Sequence, residues 1–417
     1  MHKAGMRQST HRLTCPLMNL AQAAVVVMLL AACGGGGGSD PPGATSQSAS
    51  TSTNDPPDPW ASAQAQVSNF GGAATVVDPG VVGSNTSCGI EVPCGAGGII
   101  LNENCSPQAV ICGPTGIALD ASGNVYVAGG NAIYRFTPAG VMSVFAGGVS
   151  AGYADGQGVS ALFNAPQGMT FDANGNLLVA DSGNNAIRMV TPAGTVSTVA
   201  GSPTRGSADG SGSAATFSAP VDVAVDANGN IIVADGGNSA IRKISAAGAV
   251  TTLAGGPKTS TFNWPTGVAV DPSGNVVVMD VGANKVLKVT QAGAVTTVAG
   301  TGSAGSTNGA ASAATFGSTG PYDPLHAPIQ YGPAGIVVDK FGYMFVVDRG
   351  NNEVRMITPS GVVSTLAGQP DQTWGTSNGV GPAALLDTPA HIAMDSNANL
   401  YVTEDGNSDV RRLSPVP

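Results

Sequence analysis

The chain has 417 residues, of which only 10% are charged and 60 are glycine, and its formal net charge is −10. Soluble domains usually carry about 25% charged residues, so this surface is built from Gly, Ser, Thr and Asn where others use Lys and Glu. An acidic chain repels polyanions, which argues against nucleic acid and anionic lipid surfaces as partners.

In chain order, Lys3, Arg7 and Arg12 precede an apolar run over 20–32 that only Gln22 interrupts. The run falls short of the roughly 20 residues a helix needs to cross a bilayer, which fits a secretory signal better than a membrane anchor. It ends in Leu30-Ala31-Ala32-Cys33, which resembles the lipobox of bacterial lipoproteins. That resemblance implies cleavage before Cys33 and acylation of its thiol, so that the chain meets a membrane through this lipid. Gly34 stands where an Asp would signal retention at the inner membrane, which implies the outer membrane of a Gram-negative bacterium. Residues 1–32 therefore read as a lipoprotein signal peptide. Residues 33–64, rich in Gly, Ser, Thr and Pro, cannot bury enough apolar surface to fold and read as a flexible tether.

Cys15 leaves with the signal, whereas Cys88, Cys94, Cys105 and Cys112 lie together within residues 65–113. In an oxidising compartment two disulfides are expected, most simply Cys88 with Cys94 and Cys105 with Cys112, although three pairings are possible. Their spacing suits zinc poorly and no histidine lies nearby. No metal or other cofactor is expected.

Residues 114–417 hold six copies of one unit, starting at Pro114, Pro166, Pro220, Pro265, Pro333 and Pro389. Each contains four short runs rich in Val, Ile and Ala, separated by Asp-x-x-Gly-Asn, Gly-Asn and Pro-x-Gly turn chemistry, the signature of strands joined by tight turns. Starts spaced by 45 to 68 residues fit a four-stranded blade plus a connector, and six blades make an all-β, six-bladed β-propeller. In the first run of each copy, small residues such as Ala118, Ala224 and Ala269 alternate with bulky ones such as Ile117, Phe171 and Val268. Small side chains suit strands that converge on an axis, so this run is expected to be innermost. It ends in Asp120, Asp172, Asp226, Asp271, Asp339 and Asp395, read as caps of their own turns and not as a catalytic ring.

The second run ends in Asp181, Asp235, Asp280, Asp348 and Glu404, and seven positions later come Arg188, Arg242, Leu287, Arg355 and Arg411. Both faces of a blade are covered by neighbours, so such an arginine needs an acid beside it. The first copy has lost both members, with Gly129 and Tyr134 in their places. Asp280 faces Leu287 and needs another partner, Lys285 or Lys288.

The pattern Asn-x-x-Val-x-Asp-x-Gly-Asn-x-x-Ile-Arg, as in residues 176–188, follows Pro-x-Gly-Ile/Val-Ala-Val-Asp and precedes Val-x-Thr-x-Ala-Gly. It resembles the NHL repeat, and the resemblance covers almost all of 114–417. It implies a six-bladed propeller, and for function it implies any of protein- and RNA-binding platforms, sensor ectodomains and, in related propellers, lyases and lactonases. The Asp-Gly-x-Gly…Ala-x-Phe-x-x-Pro connectors at 155–166 and 209–220 are similar to those of bacterial members.

The last copy stops before a fourth run, so another segment must cover that edge. Residues 67–77 resemble the missing strand and are expected to complete the sixth blade. Where the six inner runs would open into the channel at their proline ends, four carry Gly, but Asp222 and His391 hold that position in the third and sixth copies. Phe316 precedes Pro333 by 17 positions where three is the rule, and the insert holds Tyr322, Asp323, His326 and Tyr331; Trp264 and Trp374 lie on neighbouring connectors. Asp222, His391, His326, Tyr322, Trp264 and Trp374 are thus the candidate ligand contacts. The expected function is a cell-envelope scaffold that binds a protein, peptide or glycan through its connector face. The alternative is a lactonase-like or lyase-like enzyme using His391, His326 and Asp222. Matches to a serine hydrolase elbow at 148–152 and a dinucleotide loop at 300–305 lack the strand-turn-helix context their chemistry needs.

Overall fold

The computed structural model describes residues 65–69, 111, 113–318, 334–369 and 374–415. Six antiparallel sheets stand in a ring, and the inner strand of each packs against the next until that of the sixth returns to the first. These inner strands are Pro114–Leu119, Pro166–Phe171, Pro220–Val225, Pro265–Val270, Ile336–Val338 and Pro389–Met394. Proline opens five of them because the first residue of a strand is one of the few that need not donate to the ladder. The chain is an all-β, six-bladed propeller.

The alternation of small and bulky residues has a different cause from convergence on an axis. Ala118 packs among Met169 and Val179 of blade 2, whereas Ile117 packs beside Tyr401 and Val410 of blade 6. Successive side chains of an inner strand therefore point into the two sandwiches that flank it, and the small side of one blade receives the bulky side of the next. The strand is innermost, as expected, but its parity measures the spacing between blades.

The six aspartates at the inner-strand ends cap turns. Asp172 Oδ1 accepts the amides of Asn174 and Asn176 at 2.8 Å, and its other oxygen accepts the Asn176 side chain. The same arrangement recurs at Asp226 and Asp395.

The second acid and third-strand arginine form buried staples. Arg188 meets Asp181 at 2.8 Å, Arg242 meets Asp235 at 2.9 Å, and Arg355 and Arg411 meet Asp348 and Glu404 at 3.0 Å. A second partner comes from the connector: Asp155, Asp209, Asn308 or Asn378 accepts from the far guanidinium nitrogen at 2.7 to 2.9 Å. Phe163, Phe217 and Phe316 of the connectors lie under the guanidinium planes at 5.1 to 5.3 Å, a cation–π contact in a desolvated setting. The residues after those connector Asp and Asn groups add a fifth, two-residue strand to the blade: Gly156–Gln157, Gly210–Ser211, Gly309–Ala310 and Gly379–Val380. Blades 1 and 4, which lack the arginine, have four strands only. The guanidinium is thus what pins the connector to the sheet.

Blade 4 settles its orphan acid differently from expectation. Lys288 pairs with Asp271 at 3.0 Å, and both Asp280 oxygens lie 2.9 Å from the Asn263 amide. Lys285 contributes only its field, and burial pushes the Asp280 carboxyl up to about 6.

The open edge of blade 6 is covered by Ala65–Asn69, antiparallel to Asp409–Pro415. Of the expected segment 67–77, residues 67–69 lie in this strand and the remainder lies outside the described residues. The third strand of blade 6 runs away from the connector face, so Ala65, opposite Pro415, sits at the opposite face.

Candidate functional site

Three registers of the repeat meet at the connector end of the channel: the residue before the inner-strand proline, the second inner-strand residue and its neighbour, and the residue after the second strand. Together they line a funnel of about 290 Å³ whose walls include Thr115, Gln167, Ser182, Trp264, Arg349 and Asp405 and whose floor is His391.

The floor follows from two departures from glycine. At Gly168 a β-carbon would stand 2.0 Å from Asp222 Oδ1, and at Gly335 it would stand 2.9 Å from the His391 Cα. Glycine in the other blades leaves the volume that the Asp222 and His391 side chains fill. These two come from opposite blades and meet: His391 Nε2 lies 3.1 Å from Asp222 Oδ1. Asp222 is 1% exposed and His391 9%. Asp222 is further fixed by accepting the Val223 and Val268 amides at 2.8 and 2.9 Å, so one carboxylate ties blades 3 and 4 and faces blade 6. The imidazole N–H is not aimed along the 3.1 Å contact, and neither ring nitrogen has a hydrogen bond among the described residues. Behind the pair a second chamber of about 250 Å³ continues down the axis between the inner strands. The pair therefore divides the channel in two.

Trp264 forms one wall. The residue before each inner-strand proline has a left-handed backbone, with φ of 49° at Ala165, 46° at Ala219 and 50° at Thr388, and Trp264 has 67°. Such a backbone costs a non-glycine residue on the order of 1–3 kcal/mol, and tryptophan in it is unusual. Its indole nitrogen lies over Gly236, where an added β-carbon would be 3.3 Å away, and is buried without a hydrogen bond among the described residues. On the rim, Arg349 follows the blade 5 acid and Asp405 the blade 6 acid, and they pair at 2.7 Å.

Other shifted acids lie outside this funnel. Burial and then Asp409 raise Glu404, opposed by Arg411, and burial raises Asp181, Asp235 and Asp348 against their arginine partners. These belong to the staples. No group of three His, Cys, Asp or Glu among the described residues is placed to hold a metal. A histidine against an oriented carboxylate can move a proton, but among the described residues neither ring nitrogen is hydrogen-bonded to a nucleophilic side chain, and the neighbouring Thr403 hydroxyl accepts the His391 backbone amide at 3.0 Å.

Of the residues singled out in the sequence, the fold brings together Asp222, His391 and Trp264. Trp374 is 66% exposed and lies away from the funnel lining. Tyr322, Asp323, His326 and Tyr331 lie outside the described residues, as do Cys33, Cys88, Cys94, Cys105 and Cys112. Gln167, Arg349 and Asp405 were not anticipated. Their signal was present: the residue after the second-strand acid is Ser182, Gly236 and Val281 in blades 2 to 4, and opposite charges at that register in blades 5 and 6.

Residues 163–188, 217–244 and 262–289 match the NHL repeat family. No curated protein matches the chain. Among solved structures, an auxiliary nutrient binding protein from Bacteroides ovatus is similar with a TM-score of 0.57 and 17% identity, covering 85% of this chain and 78% of that one. One from Bacteroides thetaiotaomicron gives 0.55 and 13% over 77% and 75%. A gluconolactonase from Xanthomonas campestris gives 0.50 and 14% over 74% and 89%. At these identities the likeness is one of fold.

Proposed function

We propose that this NHL-repeat propeller is a cell-envelope lipoprotein that captures a small polar ligand in the funnel at its connector face. The carrying observation is that the funnel is blind: Asp222 and His391 meet behind it at 3.1 Å, so it is a concave pocket with convergent polar groups and not a pore. The nutrient-binding proteins of similar fold are in keeping with a binding role. A catalytic role finds less support, because the histidine at the floor has an acid beside it but neither of its ring nitrogens is hydrogen-bonded to a hydroxyl or thiol among the described residues.

The anchor at Cys33 is part of the same proposal, and the edge strand that begins at Ala65 enters the ring at the face opposite the funnel.

Two measurements test the proposal. A thermal-shift screen of neutral and charged small metabolites should find compounds that raise the melting temperature of the wild type and not of Trp264→Gly. Hits that stabilise both proteins equally, or no hits, would sink the pocket. For the anchor, the wild type should fractionate with outer membranes and Cys33→Ala should not, and a soluble wild type would refute it.

A further inference from the structure

The chemistry of the ligand can be narrowed, resting on the pocket reading above. A well-folded protein leaves few buried polar groups without partners, and each one calls for a reason. Here Trp264 Nε1 and both ring nitrogens of His391 are buried without a hydrogen bond among the described residues, as is Arg349 Nε, a state it shares with the Nε of the staple arginines Arg188, Arg242, Arg355 and Arg411, and Trp264, Arg349 and His391 line the same funnel. Trp Nε1 and Arg Nε can only donate, and a neutral imidazole offers one donor and one acceptor. The missing partner is therefore rich in oxygen acceptors and carries at least one donor.

Charge narrows it further. Arg349 is already neutralised by Asp405 at 2.7 Å, and Asp222 has His391 and two amides around it. The paired Asp405 offsets the field of Arg349 toward an anion, and among the described residues of the funnel wall a cation finds no carboxylate without a partner. The pair instead presents a donor edge beside an acceptor edge. Two adjacent hydroxyls, each able to donate and to accept, satisfy both edges at once. Trp264 adds a broad apolar wall, suited to a ring whose C–H bonds project from one face. The volume, about 290 Å³, lies at the small end of ligand clefts of about 300–1,000 Å³.

We infer that the funnel binds a neutral sugar, with one ring stacked on Trp264, adjacent hydroxyls bridging Arg349 and Asp405, and a third hydroxyl reaching His391.

Titration calorimetry on the full mature chain tests this, with glucose, galactose, mannose, N-acetylglucosamine, maltose and cellobiose as probes and gluconate and glucosamine as their charged counterparts. At least one neutral sugar should bind saturably and change tryptophan emission. Trp264→Gly, which suits the left-handed backbone and so should keep the melting temperature, should weaken binding at least tenfold and abolish the emission change. Trp374→Ala should do neither. Asp405→Asn should weaken the neutral sugar about tenfold and strengthen gluconate relative to it, a reversal that general destabilisation would not produce. Gluconate or glucosamine binding the wild type more tightly than every neutral sugar would overturn the neutral assignment. Failure of the whole panel, where the metabolite screen does find a Trp264-dependent ligand, would overturn the sugar and leave the pocket standing. Failure of both would overturn both.

Discussion

Replacing Asp280 by asparagine should stabilise the protein at neutral pH, while the same replacement at Asp235, the equivalent position one blade earlier, should destabilise it. Asp280 is buried, has no arginine beside it because Leu287 stands in that register, and is pushed up from 3.8 to about 6 mainly by burial. At about 1.4 kcal/mol for each unit, keeping it ionised in the fold costs about 3 kcal/mol. The folded value lies above the unfolded one, so the folded protein holds the extra proton between pH 3.8 and 6. Stability on this account is greatest below that window, falls as pH rises through it, and carries the full cost above pH 6. Asparagine keeps an acceptor for the Asn263 amide that now sits 2.9 Å from both oxygens. Guanidinium unfolding should show Asp280→Asn more stable by up to about 3 kcal/mol at pH 7.5 and nearly unchanged at pH 4. Asp235→Asn leaves the buried Arg242 with only the half-exposed Asp209 as acid, and breaking a buried pair in this way costs about 3–5 kcal/mol. If Asp280→Asn gains nothing at pH 7.5, or gains as much at pH 4, burial of an unpaired charge is not what distinguishes blade 4.

Gly168→Ala should lower stability by about 1–3 kcal/mol and weaken any funnel ligand, because the new methyl falls 2.0 Å from Asp222 Oδ1 and 2.8 Å from its Cα; wild-type melting and binding would refute the close approach. Deleting residues 65–69 uncovers the Asp409–Pro415 edge, so the melting temperature should fall and light scattering should report self-association through the exposed strand. A monomer with unchanged melting would mean that this strand does not close the ring.

The repeat itself was legible because every level of it agrees. Turn residues, strand runs and the Asp-to-Arg spacing of seven recur in register, so the propeller, the turn caps and the staples could all be read from residue types. What could not be read was anything that depends on the distance across the ring. Sequence placed Asp222 and His391 in opposite blades, but that they touch depends on how far glycine lets the strands close in. The parity of the inner strand was assigned to the axis when it reports the gap between sheets, since alternation alone cannot say which surface each side meets. The connector Asp155 and Asp209 stood out only as parts of a connector pattern, because their arginine partners lie 33 positions away in sequence.

Two kinds of charge pair in this chain separate architecture from function. The staples join residues of one copy, seven apart, and recur in four blades, so each is satisfied by its own repeat and a neighbour can lose it without consequence for the rest, as blades 1 and 4 show. Asp222 with His391 and Arg349 with Asp405 join different copies and occur once each. A pair of that second kind does nothing for the repeat, because neither member is required by the turn or the ladder that carries it. Both line one end of the channel, on a scaffold whose inner strands carry no other charged residue. In a propeller built from repeats of one pattern, the polar pairs that break register and meet across blades single out the candidate site, and the charges that keep register hold the ring in which they meet.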